Sequence, residues 1–179
     1  MKKLSFFGGV TLLVILCFSA CEAQMKNMET VKEVNLQRYA GTWYEIARFP
    51  HRFEKRLVGV TATYTLRSDG KIDVLNQGYR DSLQGKLSKA RAVAKIPNPE
   101  QPGRLKVFFF PLFGADYFIL ELDQENYQYV LVGSSSPGYL WILSRTPQMA
   151  PEIYEMLVAK ARQLGYDVSK LQLVEQPAE

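Results

Sequence analysis

Strand signals that recur about every eight to twelve residues constrain the fold of this chain more than any other feature. The clearest is the segment from Val60 to Leu66, where apolar residues alternate with threonines. A period of two is typical of a strand with one buried face. Similar segments follow, separated by turn residues such as Ser68-Asp69-Gly70. The pattern predicts strands at residues 43–49, 60–66, 72–79, 87–96, 105–110, 117–122, 127–132 and 139–144.

Short connections between these eight segments predict an up-and-down antiparallel meander. A single helix follows, with Pro151 in its first turn and Gly165 just beyond its end. Its packing face is predicted to contain Ile153, Met156, Leu157, Lys160, Ala161 and Leu164. We therefore predict an all-β fold of eight up-and-down strands, with one C-terminal α-helix packed outside. Periodicity alone fits both a closed barrel and a sandwich.

The N-terminus has the layout of a secretory signal. Lys2 and Lys3 precede an apolar run at residues 6–18, which is shorter than the roughly 20 residues of a spanning helix. Residues 18–21, Phe-Ser-Ala-Cys, resemble the bacterial lipobox, in which the cysteine after the cleavage site carries lipid. We predict a lipoprotein signal peptide at 1–20, lipidation of Cys21, a polar tether at 21–34 and a barrel domain at 35–179. Ordinary secretion with an incidental thiol is the alternative.

Cysteine count and charge exclude two classes of protein. The other cysteine, Cys17, would be lost with the signal peptide, so the mature chain could form no internal disulfide. Removing Lys2 and Lys3 from the 22 basic residues leaves 20 against 18 acidic ones, a formal charge of +2. Because the basic residues are also scattered among acidic ones, we expect no nucleic-acid partner.

Two motifs stand at opposite ends of the strand series. Gly41-Thr42-Trp43 opens the first strand, and Arg145 closes the eighth just before the helix. The pair in these positions resembles the lipocalin family. Longer segments at 44–49, 60–64, 139–147 and 165–170 are similar to its bacterial lipoprotein subgroup. The resemblance extends from about Val34 to the C-terminus and implies the closed barrel rather than the sandwich.

The resemblance also implies roles for the motif residues. Gly41 would allow the tight turn onto the first strand, Trp43 would plug the closed end of the barrel, and Arg145 would lie across its indole in a cation–π contact. The family implies storage or transport of a fatty acid, a lysophospholipid or a similar apolar ligand in the cell envelope. Glu22, directly after Cys21, resembles the pattern that sorts lipoproteins to the outer membrane.

An inward Trp43 sets the parity of the strands, because successive side chains alternate between faces. The small residues of the fourth strand predict free space inside. We predict a ligand-binding lining of Glu45, Ala47, Ala62, Tyr64, Asn76, Ala92, Val107, Phe109, Tyr117, Ile119, Tyr139 and Trp141. We chose Tyr117 and Ile119 from the family resemblance, because the apolar residues of that strand would allow either of its faces to point inward. The alternative is that these side chains simply fill the core, and for Glu45 that it makes a structural hydrogen bond near the barrel floor.

An apolar stretch from Phe108 to Phe113 runs off the fifth strand into a loop. Such a stretch could form a lip over the pocket, a membrane-touching edge, the contact of a homodimer, or ordinary core. The sequence leaves these four alternatives open.

The sequence favours a binding protein over an enzyme. His51 is the only histidine, and its position in a predicted loop near the mouth suggests a solvated side chain. No Gly-X-Ser-X-Gly elbow is present, and the mature barrel would contain no cysteine. We therefore expect no catalytic residues, metal or cofactor. The alternatives are a haem or tetrapyrrole binder with a lone His or Tyr ligand, and a weak lipid-acting enzyme that uses a tyrosine or Glu45.

Overall fold

The computed structural model describes residues 28–110 and 112–178. Cys21 and the predicted signal peptide lie outside these residues. The elements in chain order are α1 (Leu36–Tyr39), β1 (Gly41–Arg48), β2 (Leu57–Leu66), β3 (Ile72–Arg80), β4 (Leu87–Lys95), β5 (Arg104–Phe110), β6 (Phe113–Leu122), β7 (Tyr129–Gly133), β8 (Leu140–Ser144), α2 (Pro151–Gln163), a 3₁₀ turn (Val168–Lys170) and β9 (Gln172–Leu173). None of the described helices is long and apolar enough to cross a membrane.

The eight main strands close into an antiparallel barrel. Each of β2 to β7 pairs with the next strand in sequence, and β1 pairs with both β8 and β2. The first half of β1 pairs with β2, from Gly41 opposite Tyr64 to Tyr44 opposite Thr61. Its second half pairs with β9, with Ala47 opposite Leu173. The predicted barrel with a C-terminal helix is therefore confirmed, and β9 is an addition to it.

The apolar core is divided by the barrel wall. One cluster lies inside and includes Trp43, Tyr64 and Ile119. The other lies between the wall and α2, where Leu157 and Ala161 are fully buried. α2 begins at Pro151 as predicted and ends before Gly165, whose φ of +90° suits a glycine.

The packing face of α2 matches the predicted one at Ile153, Leu157, Ala161 and Leu164 and differs from it at Met156 and Lys160. Met156 is 40% exposed, and Lys160 extends to an ion pair of 3.2 Å with Glu121 on the barrel wall. Tyr154 and Val158 pack against the barrel instead. Helical periodicity predicted the face only approximately, because long side chains at the edge of the face can point either toward the barrel or toward solvent.

An irregularity in β1 changes which side chains face inward. Glu45 is opposite Leu143, but Ala47 is opposite Ile142, so two residues of β1 match one of β8. The extra residue reverses the alternation. Ala47, which we predicted inside, therefore lies under α2 in the outer cluster, as does Phe49. Arg48 takes the inward position opposite Trp141.

A second irregularity, in β6, resolves the parity of that strand. Ile119 is opposite Val132 and Glu121 is opposite Leu131, again a step of two residues against one. Tyr117 and Ile119 belong to the inner cluster, and so does Leu122 beyond the irregularity. Tyr117 and Ile119 therefore face inward before the irregularity, and the alternate set that includes Leu122 faces inward after it.

The described part of the predicted tether packs against the barrel. The amide of Val31 donates to the carbonyl of Ile119 over 2.9 Å, and Val31 and Val34 contact the inner cluster. Met28 is 5% exposed and packs with Phe118 on the outside of the wall. Met28, Val31 and Val34 are apolar, which explains why this segment packs against the barrel. The polar tether that we predicted for these residues would not form these contacts.

Candidate functional site

The floor of the barrel is built around Trp43. Its side chain is completely buried, and its indole N–H donates to the carbonyl of Tyr39 over 2.9 Å. The guanidinium of Arg145 lies 3.9 Å from the indole centroid. Arg145 also donates to the carbonyls of Thr42 and Ala40, each over 3.0 Å, and thereby ties the end of β8 to the start of β1. This end of the barrel is closed.

Three tyrosines occupy the space above the floor. The hydroxyl of Tyr117 lies 2.6 Å from that of Tyr39 and 2.9 Å from that of Tyr64. Burial raises the pKa of Tyr64 to about 12 and raises the pKa values of Tyr39 and Tyr117 well above 10.0. The three phenols are therefore neutral at physiological pH and form a hydrogen-bonded layer across the barrel.

Exposure of the inward-facing residues increases from the floor to the other end. Four strands show the same gradient, from buried to half-buried or exposed: Tyr64 to Ala62, Val74 to Asn76, Ala92 to Ala90, and Ile119 to Ala115. Because these residues face inward, their exposure means that the interior itself is open at this level. The barrel is filled in its lower half, and we call the space bounded by the more exposed inward-facing residues of its upper half the cup.

The small residues of β4 divide between these halves. Ala92 is 6% exposed and packs in the inner cluster with Tyr64 and Tyr117. At this level aromatic side chains fill the space that we predicted the alanines would leave open. Ala90, two residues nearer the mouth on the same face, is exposed. The free space opposite β4 therefore lies one layer higher than expected.

One wall of the cup contains a buried arginine. Arg48 contacts the carboxylate of Glu45, and it donates to the carbonyls of Glu54 over 3.0 Å and Leu57 over 2.9 Å. Its side chain is only 10% exposed. These bonds hold the β1–β2 loop against the barrel. We call Glu45, Arg48, His51 and Glu54 the mouth polar cluster.

The carboxylate of Glu54 has two further partners in this region. His51 Nε2 lies 2.9 Å from Oε2 of Glu54, and the indole N–H of Trp141 donates to the same oxygen over 3.3 Å. The His51 side chain is 8% exposed and lies 5.5 and 5.4 Å from the ring centroids of Tyr139 and Trp141. Our expectation that His51 is solvated was wrong, because the loop folds its ring in against these aromatic side chains.

The two carboxyl groups of the cluster titrate in opposite directions. Burial, and then the charge of Glu54, raises the pKa of Glu45 well above 4.5 in spite of the neighbouring Arg48. Burial would also raise the pKa of Glu54, but the hydrogen bond and charge of His51, together with Arg48, lower it. As the pH falls, Glu45 is therefore the first of the two carboxyl groups to take up a proton.

The apolar stretch after β5 is exposed. Phe110 is 71% exposed, Leu112 86% and Phe113 77%, and they stand where the β5–β6 hairpin turns at the open end. Phe109, which we predicted in the pocket, is 43% exposed, beside a shift in register between Phe108 and Phe110. Ordinary burial in the core is thus wrong for this stretch.

The structure brings most predicted lining residues into one interior but divides them by depth. Tyr64, Ala92, Val107 and Ile119 belong to the filled half, with Tyr117 at its upper surface. Ala62, Asn76, Tyr139, Trp141 and Glu45 surround the cup. Sequence reasoning missed Tyr39, Arg48 and Glu54. The only sequence signal that Arg48 and Glu54 belong to the site was their proximity in sequence to Glu45 and His51. Arg48 faces inward because of the irregularity in β1, and Glu54 reaches the site because of the conformation of the β1–β2 loop.

No group of three or more His, Cys, Asp or Glu side chains within residues 28–110 and 112–178 is positioned to hold a metal ion. The mouth polar cluster has only His51 and two carboxyl groups, and Arg48 already binds one of them. The cluster is a largely buried polar group whose members are bonded mainly to one another and to the β1–β2 loop.

Known proteins with the same architecture include bacterial and plant members of one family. The family model described as a lipocalin-like domain matches residues 34–176. The chain is 42% identical to the outer membrane lipoprotein Blc of Escherichia coli strain K12, over 99% of each chain. It is 44% identical to temperature-induced lipocalin-1 of Arabidopsis thaliana, over 83% of this chain and 82% of the relative.

The fold is also similar to that of solved structures with more distant sequences. Insecticyanin from the tobacco hornworm Manduca sexta superposes with a TM-score of 0.67 at 20% identity, covering 84% of this chain and 85% of the other. Lobster apocrustacyanin A1 superposes with a TM-score of 0.64 at 23% identity, covering 80% and 81%. At these identities the likeness concerns the fold alone.

Proposed function

This chain is a member of the lipocalin family, whose barrels bind hydrophobic ligands, and from that premise we propose that it binds a single-chain lipid in its cup. The ligand is a fatty acid or a lysophospholipid. Its acyl chain enters along the wall formed by Ala62, Asn76 and Ala90, and its polar end stays near the mouth polar cluster.

The exposure gradient inside the barrel carries this proposal. Ala90 is exposed although it faces inward, whereas Ala92 on the same face is 6% exposed. Space for a ligand therefore begins above the tyrosine layer and opens to solvent. An apolar cup with a few polar groups on one side suits an amphiphile, because the polar groups orient the ligand while its chain is removed from water.

We further propose that the protein is anchored in the outer membrane through lipidated Cys21 and stores or transports its ligand there. Relatives named outer membrane lipoprotein Blc, aligned over nearly the whole chain, support this location. The lipobox-like residues 18–21 support the anchor. Two or more acyl chains on one cysteine would give firm attachment, since each buried CH₂ contributes about 0.8 kcal/mol.

Two neighbouring residues of β3 provide a matched test of the cup. Asn76 faces inward opposite Ala62 and Ala90, whereas Gln77 faces outward, and both are uncharged amides. Asn76→Trp fills the cup and should weaken binding of a fluorescent fatty acid at least about fivefold, because the loss of even one methylene contact costs about 1 kcal/mol. Gln77→Trp should bind like the wild type. Equal affinities in the two variants would refute ligand binding at this level of the barrel.

The chain also offers a matched control for the anchor. Cys21→Ser should move the protein from the membrane fraction to the soluble periplasmic fraction after cell breakage. Cys17→Ser lies in the predicted signal peptide and should leave membrane fractionation unchanged. Membrane attachment of the Cys21→Ser protein in a wash that releases peripheral proteins would contradict lipidation at this residue.

A further inference from the structure

Exposed apolar side chains are concentrated at the open end of the barrel. Eight large apolar side chains among the described residues are exposed, and only Met156 and Leu173 of these lie elsewhere. The other six stand on the β1–β2 loop, at the start of β4 and around the β5–β6 turn: Phe53, Leu87, Phe109, Phe110, Leu112 and Phe113. In an up-and-down barrel these connections share one end, so the residues form a rim around the cup. A concentration of exposed apolar side chains of this kind is typical of an interaction surface.

The same end carries an excess of positive charge. Its exposed basic residues are Arg52, Lys55 and Arg56 after β1, and Arg80 and Lys86 around the β3–β4 connection. The acidic residues of these connections are Asp81, which pairs with Arg56, and Glu54, whose side chain is 15% exposed and turned into the mouth polar cluster. The β5–β6 turn and the β7–β8 connection contribute no charged residue between 110 and 113 or between 134 and 139.

We propose that this rim docks the mouth of the barrel onto an anionic phospholipid surface. Apolar side chains at the hairpin tip insert among the acyl chains, and the surrounding lysines and arginines contact phosphate groups. A second copy of the chain fits the rim less well, because two such mouths placed face to face would bring like charges together. The proposal concerns the outside of the mouth and does not depend on which ligand the cup binds.

The length of chain before Met28 is compatible with this orientation. Six residues separate Cys21 from Met28, and the seven steps between successive Cα atoms span at most about 25 Å. Met28 packs beside Phe118, which lies five residues from Phe113 along β6, a distance of about 17 Å. A lipid on Cys21 would therefore reach the plane of the rim, so that the anchor and the rim engage the same membrane.

The test compares two leucines that are equally exposed but differently placed. Leu112 is 86% exposed on the rim, and Leu173 is 73% exposed on β9. Mature protein from residue 21 onward, carrying Cys21→Ser so that it has neither the signal peptide nor the covalent anchor, is sedimented with vesicles of phosphatidylethanolamine and phosphatidylglycerol or of phosphatidylcholine alone. We expect binding to the anionic vesicles, weakened by salt, and a decrease of about tenfold in Leu112→Asp because an inserted apolar side chain is lost. Leu173→Asp should bind like the parent.

Each other outcome contradicts the proposal. Equal binding by the two aspartate variants would show that the rim does not contact the bilayer. Absence of binding to anionic vesicles would also overturn it. A change from dimer to monomer in Leu112→Asp by sedimentation velocity, with vesicle binding unchanged, would assign the rim to a second copy. Fatty-acid titration in solution separates this surface from the cup, because Leu112→Asp should retain the parent affinity and Asn76→Trp should retain vesicle binding.

Discussion

Replacing Tyr117 with phenylalanine removes one oxygen atom and disconnects the tyrosine layer. The hydroxyl of Tyr117 stands between those of Tyr39 and Tyr64, at 2.6 and 2.9 Å. Among the described residues, neither outer hydroxyl has another hydrogen-bond partner. The variant therefore leaves two buried phenols unpaired and opens almost no cavity.

The structure gives a different magnitude for each member of the layer. A buried polar group without a partner costs about 1–3 kcal/mol, so Tyr117→Phe should destabilise the fold by about 2–4 kcal/mol. Tyr39→Phe removes one bond but leaves Tyr117 paired with Tyr64, and should cost about 1 kcal/mol. The triple phenylalanine variant has no unpaired hydroxyl. It should be more stable than Tyr117→Phe alone.

Urea unfolding followed by tryptophan fluorescence measures these differences. With a slope of about 2 kcal/mol per molar urea, Tyr117→Phe should lower the midpoint by about 1–2 M at unchanged slope. Tyr39→Phe should lower it by about 0.5 M. Equal midpoints for the two single variants, or a triple variant less stable than Tyr117→Phe, would show that the phenols do not act as one hydrogen-bonded unit.

Three further predictions concern the floor and the buried titratable groups. Arg145→Ala should cost about 3 kcal/mol in the same urea assay, because it loses the contact with Trp43 and several partly buried bonds to carbonyls. Arg67→Ala, which loses only exposed ion pairs, should leave the urea midpoint nearly unchanged. Burial and the charge of Glu54 raise the pKa of Glu45 in the folded protein above 4.5. As the pH rises above 4.5, Glu45 loses its proton in the unfolded chain before it does so in the folded protein, so the free energy of unfolding should decrease. Glu45→Gln should reduce this pH dependence in unfolding curves measured across pH. Burial raises the pKa of Tyr64 to about 12 in the folded protein, against 10.0 in the unfolded chain. The contribution of the neutral Tyr64 to the free energy of unfolding is therefore complete below pH 10 and is lost as the pH rises toward 12. Tyr64→Phe should reduce this loss of stability at high pH.

The sequence predicted the strands because alternation is a local property of the chain. A run such as Val60 to Leu66 needs only its own residues to indicate a half-buried strand. The Gly41-Thr42-Trp43 motif and Arg145 then distinguished the barrel from a sandwich, and their contact of 3.9 Å explains why they occur together.

The sequence could not predict where that alternation changes phase. The irregularity between Glu45 and Ala47 depends on hydrogen bonding to β8, a strand about a hundred residues away in sequence. Ala47 was therefore assigned to the wrong face, and the inward position of Arg48 was missed. His51 was misjudged and Glu54 was missed for a related reason, because no periodicity shows whether a loop folds over a barrel or away from it.

For the lipid binding that we propose, the closed floor has a consequence for the direction of transfer. Trp43 and Tyr39 are at most 1% exposed, and Arg145 joins the strands around them, so the interior has no second exit at this end. Loading and unloading must use the same opening, and each path is the reverse of the other. Such a carrier cannot pass a ligand through itself or impose a direction on transfer. Net flux would follow the difference in chemical potential between the lipid pools that the mouth meets, and the protein would only set the rate.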